Sequence, residues 1–86
     1  MKTTVANIRN GEEFDIYIGR GSKWGNPFKI GRDGDRLEVI AKYRKYILNR
    51  SDLLADLHEL KGKRLGCWCC PKPCHGDILV ELADAN

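Results

Sequence analysis

The sequence has no apolar run near the length of about 20 residues that crosses a lipid bilayer. Its first ten residues, MKTTVANIRN, also lack the apolar segment of a secretory signal peptide. We therefore predict a cytoplasmic protein with no membrane partner. Because thiols rarely stay paired in a reducing compartment, we do not expect the four cysteines to form structural disulfides.

The sequence also lacks a strong excess of charge of either sign. Fifteen basic and twelve acidic residues leave a net charge of +3. This excess is compatible with an anionic ligand, but it is smaller than the dense basic surface of a dedicated nucleic-acid binder. The net charge alone therefore does not identify the partner, and the positions of particular residues are more informative.

No internal repeat, linker or low-complexity segment divides the chain, so residues 1–86 are predicted to form a single domain. The patterns favour a small α/β domain with a sheet of about three strands packed with about three helices, in the order β-β-loop-α-α-β-α. Strands are predicted at residues 3–8, 14–18 and 63–68, with Phe14, Ile16 and Ile18 on one face. Asn10 and Gly11 favour a turn between the first two strands, which makes either a hairpin or a crossover.

Three helices follow from apolar periodicity and end signals. Asp35 and Glu38 form a capping-box pattern for the first helix, and Ser51 is predicted to cap the second, which Gly62 ends. The third helix begins near Cys74. The predicted apolar faces consist of Leu37, Ile40, Ala41, Ile47 and Leu48, widened by Tyr43 and Tyr46, in the first helix, and of Leu53, Leu54, Leu57 and Leu60 in the second.

A glycine-rich segment, GRGSKWGNPFKIGRDGD at residues 19–35, has no helical or strand periodicity. A loop this long in so small a domain is usually functional. Its glycines allow backbone N–H groups to approach an anion, but it matches neither a P-loop nor a dinucleotide fingerprint. We predict that Arg20 and Lys23 hold a phosphate or carboxylate and that Trp24 stacks on a base, although Trp24 also fits a core position. The predicted ligand-binding residues are Asn7, Arg9, Arg20, Gly21, Ser22, Lys23, Trp24, Asn26 and Trp68.

All four cysteines and one of the two histidines lie within residues 67–75. Because side chains alternate along a strand, Cys67 and Cys69 are predicted on the same side of the last strand, near its carboxyl end. Cys74 and His75 open the next helix, where the helix dipole lowers the pKa of a thiol.

Three interpretations of this cluster stay open. Cys67, Cys69, Cys74 and His75 offer a zinc ligand set, although their spacing differs from the paired C-x₂-C knuckles of familiar zinc sites. In a catalytic pocket, Cys74 or Cys67 is the nucleophile and His75 the acid or base, while Asp77 either orients His75 or complements the helix dipole. Alternatively, the cysteines are core residues, and Cys70 is the one expected to have no role in the site.

The stretches VANIR, YIGRGSKWGNPF and CWC-x-P-x-x-CHGD resemble an uncharacterised family of small bacterial and phage proteins, known only as domain of unknown function 4326. The resemblance covers nearly the whole chain and implies no established activity. If a phage encodes the protein, its compartment is the host cytoplasm.

The predicted function is binding of a nucleotide or nucleic-acid-derived anionic ligand in a pocket formed by the glycine-rich segment and the Cys/His cluster, with or without catalysis. One alternative is a zinc-stabilised module that binds nucleic acid or protein. Another is a phage-encoded inhibitor that acts by surface contact. The pocket hypothesis requires the two segments to meet in space.

Overall fold

The structure is a computed structural model that describes residues 2–68 and 72–85. The predicted α/β class and order of elements are confirmed, with three strands and three α-helices in the described residues. The elements are β1 (Thr4–Asn7), β2 (Ile16–Tyr17), α1 (Arg36–Leu48), α2 (Ser51–Ala55), β3 (Arg64–Cys67) and α3 (His75–Asp84), with 3₁₀ turns at Ile8–Asn10 and Leu57–Glu59. None of the described helices is both long enough and apolar enough to span a bilayer. The predictions for Cys69 and Cys70 lie outside the described residues.

The three strands are parallel, and β3 lies between β1 and β2. The hairpin alternative for the first two strands is therefore wrong. A 3₁₀ turn follows β1 and closes at Gly11, whose φ of 75° is left-handed, and the chain then crosses to the far side of β3. Because parallel strands point the same way, β1, β2 and β3 all end at one edge of the sheet.

The second strand is shorter than predicted, and an ion pair sets where it begins. The Asp15 carboxylate accepts hydrogen bonds from the backbone N–H and the guanidinium of Arg64, the first residue of β3. These bonds lower the pKa of Asp15 to about 2. Phe14 lies outside the strand and is exposed, whereas Ile18 is fully buried. A methyl group on Gly66 would meet the Phe14 ring at 2.6 Å, so this ring packs against the sheet at Gly66.

The first helix begins as predicted, but its buried row matches the predicted apolar face only at Tyr43 and Ile47. Asp35 and Glu38 form a reciprocal capping box. The buried row is Val39, Tyr43 and Ile47, whereas Leu37 and Leu48, predicted to face the core, are 68% and 49% exposed. Residues at i, i+4 and i+8 share one helical face, and tertiary packing selects this row in preference to the row with the most aliphatic side chains.

The second helix is a short one that continues into a 3₁₀ turn. Ser51 is its first helical residue rather than its cap, and Arg50 at the N-cap makes no side-chain capping bond. Leu53, Leu57 and Leu60 are buried as predicted. Gly62, with φ of 76°, follows the turn before β3.

A buried hydrogen bond attaches the glycine-rich segment to α1. The Tyr43 hydroxyl donates to the backbone carbonyl of Trp24 at 2.7 Å. Both side chains belong to the core, and Trp24 is only 2% exposed. This bond holds the middle of the glycine-rich segment against α1, and it thereby restrains the position of residues 19–26.

We expect Tyr43→Phe to lower the free energy of unfolding by about 1–3 kcal/mol, because it leaves a buried carbonyl without its donor. Tyr46→Phe is the matched control, since the Tyr46 hydroxyl pairs with Arg50 at a partly exposed position. Urea unfolding of both variants measures the difference. Equal losses for the two variants would contradict a special role for the Tyr43 bond.

Candidate functional site

A cavity of about 450 Å³ lies at the carboxyl edge of the sheet, between the glycine-rich segment, α1 and the start of α3. The structure brings the glycine-rich segment and the Cys/His cluster together here. The lining residues are Tyr17, Gly19, Arg20, Asn26, Phe28, Ile30, Arg36, Val39, Ile40, Cys67, Trp68, Pro73, Cys74 and His75.

Three potential metal ligands line one part of this cavity. Cys67 ends β3, Cys74 caps α3, and His75 is the first residue of α3. All three are buried, and their ligand atoms lie within 4.8 Å of one another. Two thiolates and an imidazole are ligands of the kind that zinc prefers, so this group can hold a metal ion. Cys69, the fourth predicted ligand, lies outside the described residues.

The position of Cys74 follows from the way α3 begins. The Cys74 sulfur accepts the backbone N–H of Gly76 at 3.3 Å, and the Asp77 carboxylate accepts the backbone N–H of Cys74 at 3.1 Å. Together they form a capping box in which a cysteine replaces the usual hydroxyl residue. Of the two roles predicted for Asp77, the structure shows the one at the helix N-terminus.

A backbone carbonyl, rather than Asp77, orients His75. His75 Nε2 lies 2.7 Å from the carbonyl oxygen of Ile18, and the ring packs edge-on against Tyr43. Because a carbonyl only accepts, Nε2 carries a proton, and Nδ1 is the nitrogen that has the lone pair whenever the ring is neutral. Metal-ligating histidines commonly donate their second N–H to a carbonyl in this way.

The Cys67 and Cys74 sulfurs are in contact at 3.1 Å. This contact and burial raise the pKa of the Cys74 thiol, outweighing the Gly76 N–H, which lowers it. The sequence predicted the opposite shift from the helix dipole alone. Without a metal, this environment favours the thiol of Cys74 over its thiolate, which makes its reaction as a nucleophile slower but does not prevent it.

Two arginines and three aromatic rings form the other walls of the cavity. Arg36, the first residue of α1, donates to the Pro73 carbonyl at 3.2 Å. Arg20 makes no hydrogen bond or ion pair with another residue in the part of the chain that the structure describes. The rings belong to Tyr17, Phe28 and Trp68, and Trp68 is 50% exposed.

Two predicted ligand residues lie away from the cavity. Lys23 pairs with Asp56 at 2.9 Å and Glu59 at 3.0 Å, so its charge is directed towards the segment that follows α2. Trp24 is a core residue, which was the alternative interpretation, and its buried ring offers no stacking face. The structure therefore places neither the Lys23 charge nor the Trp24 ring at the cavity.

Other predicted ligand residues stabilise local turns. Asn7 is buried, and its side chain caps the 3₁₀ turn after β1, while Arg9 is exposed and does not line the cavity. The Ser22 hydroxyl donates to the Gly19 carbonyl at 2.7 Å, next to Gly21 with φ of 90°. None of these four residues lines the cavity.

Asn26 does line the cavity, but both ends of its side chain are bonded to backbone. Its Nδ2 donates to the Val39 carbonyl, and its Oδ1 accepts the Phe28 N–H.

Arg36 also lines the cavity, although it was not among the predicted site residues. Arg36 directly follows the capping residue Asp35 at the end of the glycine-rich segment, and this position in the sequence could have indicated that it lies near the cavity.

The fold and the site define a small parallel α/β domain with a Cys/His cluster at the carboxyl edge of its sheet. The chain belongs to the family described as "Domain of unknown function (DUF4326)", whose family model matches residues 2–85. The resemblance predicted from sequence is thereby confirmed. No solved structure matches the chain.

Two viral proteins are among its relatives. An "Uncharacterized 12.4 kDa protein in nrdA-td intergenic region" of Enterobacteria phage T4 is 42% identical over 77 residues, covering 84% of this chain and 69% of that protein. "Uncharacterized protein R718" of Acanthamoeba polyphaga mimivirus is 42% identical over 86 residues, covering 79% of this chain and 65% of that protein. The similarity thus spans about two thirds of each relative's length.

The capping role of Cys74 can be separated from its chemistry. Cys74→Ser keeps an acceptor for the Gly76 N–H, whereas Cys74→Ala removes it. We expect Cys74→Ala to be less stable than Cys74→Ser by about 1 kcal/mol in urea unfolding. Equal stability of the two variants would show that the sulfur does not stabilise α3 as a cap.

Proposed function

We propose that the protein binds a small anionic ligand with a flat ring, a nucleotide or nucleic-acid-derived fragment, in the cavity at the sheet edge. The observation that carries this proposal is the Arg20 guanidinium, which lines the cavity without a partner among the described residues. A guanidinium binds phosphate and carboxylate oxygens in a bidentate way. It is therefore available to a ligand without first breaking an ion pair.

The walls and size of the cavity support the same class of ligand. Tyr17, Phe28 and Trp68 offer aromatic rings, on which bases of any sequence can stack. A volume of about 450 Å³ lies in the range of small-molecule sites. The carboxyl edge of a parallel sheet is also where α/β folds usually bind ligands.

Titration calorimetry with the common ribonucleoside mono- and triphosphates tests this proposal. We expect Arg20→Gln to weaken binding by about tenfold or more, because a charge-assisted contact is lost. Lys23→Gln is the matched control, since it removes the same charge outside the cavity. Equal weakening by the two substitutions, or binding by none of the nucleotides, would overturn the proposal.

We infer zinc binding at Cys67, Cys74 and His75 as a second function. The specific observation is that one His75 ring nitrogen and the two cysteine sulfurs lie within 4.8 Å of one another, while the Ile18 carbonyl accepts the Nε2 proton. Zinc takes four ligands in structural sites and three protein ligands in catalytic ones. Bound zinc would add folding free energy to a domain with a modest core.

Elemental analysis with a chelator series tests the zinc site. We expect about one zinc per chain, and we expect His75→Gln to lose it while His58→Gln keeps it. His58 is the suitable control because it is exposed and its ring nitrogen Nδ1 is hydrogen-bonded to the Ala55 carbonyl, away from the cavity. Zinc retention in His75→Gln would contradict the ligand set, and folded protein purified without metal would contradict the site.

A further inference from the structure

We propose that Cys67 and Cys74 form a redox-active dithiol, which a small carboxylate-bearing disulfide oxidises to an intrachain disulfide through the cavity. The observation behind this proposal is the 3.1 Å contact between the two sulfurs, both of which belong to buried cysteines. A disulfide bond is about 2.05 Å long. The two sulfurs therefore need to approach by only about 1 Å.

The backbone around each cysteine keeps the two sulfurs together. Cys67 is the last residue of the central strand, paired in register with Asn7 of β1. Cys74 is held by the capping box with Asp77. Because both positions are fixed by regular structure, the second thiol is present at a high effective concentration when the first one has reacted.

The cavity is the access route to these sulfurs. Cys67 and Cys74 are only 2% and 3% exposed, but both line the cavity. The same cavity carries the Arg20 guanidinium, which has no partner among the described residues, and the partly exposed Arg36. A disulfide that carries carboxylates is therefore attracted to the cavity more strongly than a neutral one. This preference for an anion, unlike the dithiol chemistry, rests on the proposed function.

The exchange proceeds in two balanced steps. One cysteine thiolate attacks a sulfur of the small disulfide, whose S–S bond breaks, and the departing thiolate takes up a proton. The second cysteine then attacks the mixed disulfide and displaces the other half as a thiol. Two electrons pass from the dithiol to the small disulfide, and the two protons of Cys67 and Cys74 end on the two released thiols.

Zinc and oxidation compete for the same two sulfurs. Thiolates held by a metal are not free to attack a disulfide, so the test uses the whole 86-residue chain, treated first with a chelator. Retained structure is checked by circular dichroism. The Cys69→Ser/Cys70→Ser variant serves as the background, because it leaves Cys67 and Cys74 as the two cysteines of the chain.

The experiment follows the reaction with oxidised glutathione by intact-mass and peptide-mapping mass spectrometry. We expect loss of two hydrogen atoms and a Cys67–Cys74 crosslink, both reversed by dithiothreitol. Cys67→Ser in the same background should stop at a glutathione adduct on Cys74. Arg20→Gln should slow the reaction with oxidised glutathione by about tenfold but leave the reaction with neutral hydroxyethyl disulfide unchanged, and Lys23→Gln should change neither rate.

Two outcomes would overturn the proposal. The first is a folded, chelated background variant that forms no Cys67–Cys74 crosslink while the urea-unfolded chain does. The second is an equal effect of Arg20→Gln on the rates with oxidised glutathione and with hydroxyethyl disulfide, which would show that Arg20 does not select an anionic substrate. Failure of the proposed function is distinguishable, because nucleotide titration can be negative while the Cys67–Cys74 crosslink still forms in the folded protein.

Discussion

The pairing of β2 with β3 determines where every part of the site lies. Ile18 donates its N–H to the Gly66 carbonyl just beyond this pairing, and its own carbonyl meets His75. If β2 instead formed a hairpin with β1, it would run antiparallel to β3, and the glycine-rich segment would leave the sheet at the opposite edge from Cys67. The direction of a two-residue strand thus decides whether the loop and the cluster share a cavity.

This strand direction depends on contacts that are distant in sequence. Asp15 pairs with Arg64, 49 positions away, immediately before the register of Ile16 with Leu65 begins. The alternating apolar residues at positions 14–18 indicated a strand, but they did not indicate which strand it pairs with. Parallel pairing requires a crossover, here the long one through α1 and α2, so short turn signals such as Asn10 and Gly11 were a misleading guide.

Features set by near neighbours were predictable from the sequence, and features set by distant charges were not. The Asp35 capping box and the start of α3 at Cys74 are local and were predicted correctly. Lys23 and Arg20 look alike in sequence, yet Asp56 and Glu59 neutralise Lys23 while no described residue pairs with Arg20. The local sequence does not indicate which of two neighbouring basic side chains will form an ion pair with an acidic residue of another element.

Two glycines in the family-like stretches have steric reasons independent of any ligand. A methyl group on Gly76 would lie 2.9 Å from Ile18 Cδ1 and 3.1 Å from Val5 Cγ2, so α3 can approach the sheet only with glycine there. A methyl group on Gly19 would lie 2.3 Å from the Tyr17 hydroxyl, where the ring folds over the backbone. In both cases the lack of a side chain allows close packing beside the cavity.

The two sulfurs of the Cys/His cluster, counted together with any bound zinc, contribute the same net charge to the cavity whether they are thiols, a disulfide or zinc ligands. Two neutral thiols carry no charge, a disulfide carries none, and two thiolates with Zn²⁺ and a neutral imidazole also sum to zero. Arg20 and Arg36 are the cationic side chains among the described residues that line the cavity. The net charge of the cavity lining is therefore set by these arginines, whether the sulfurs bind metal, form a disulfide or remain in contact as thiols.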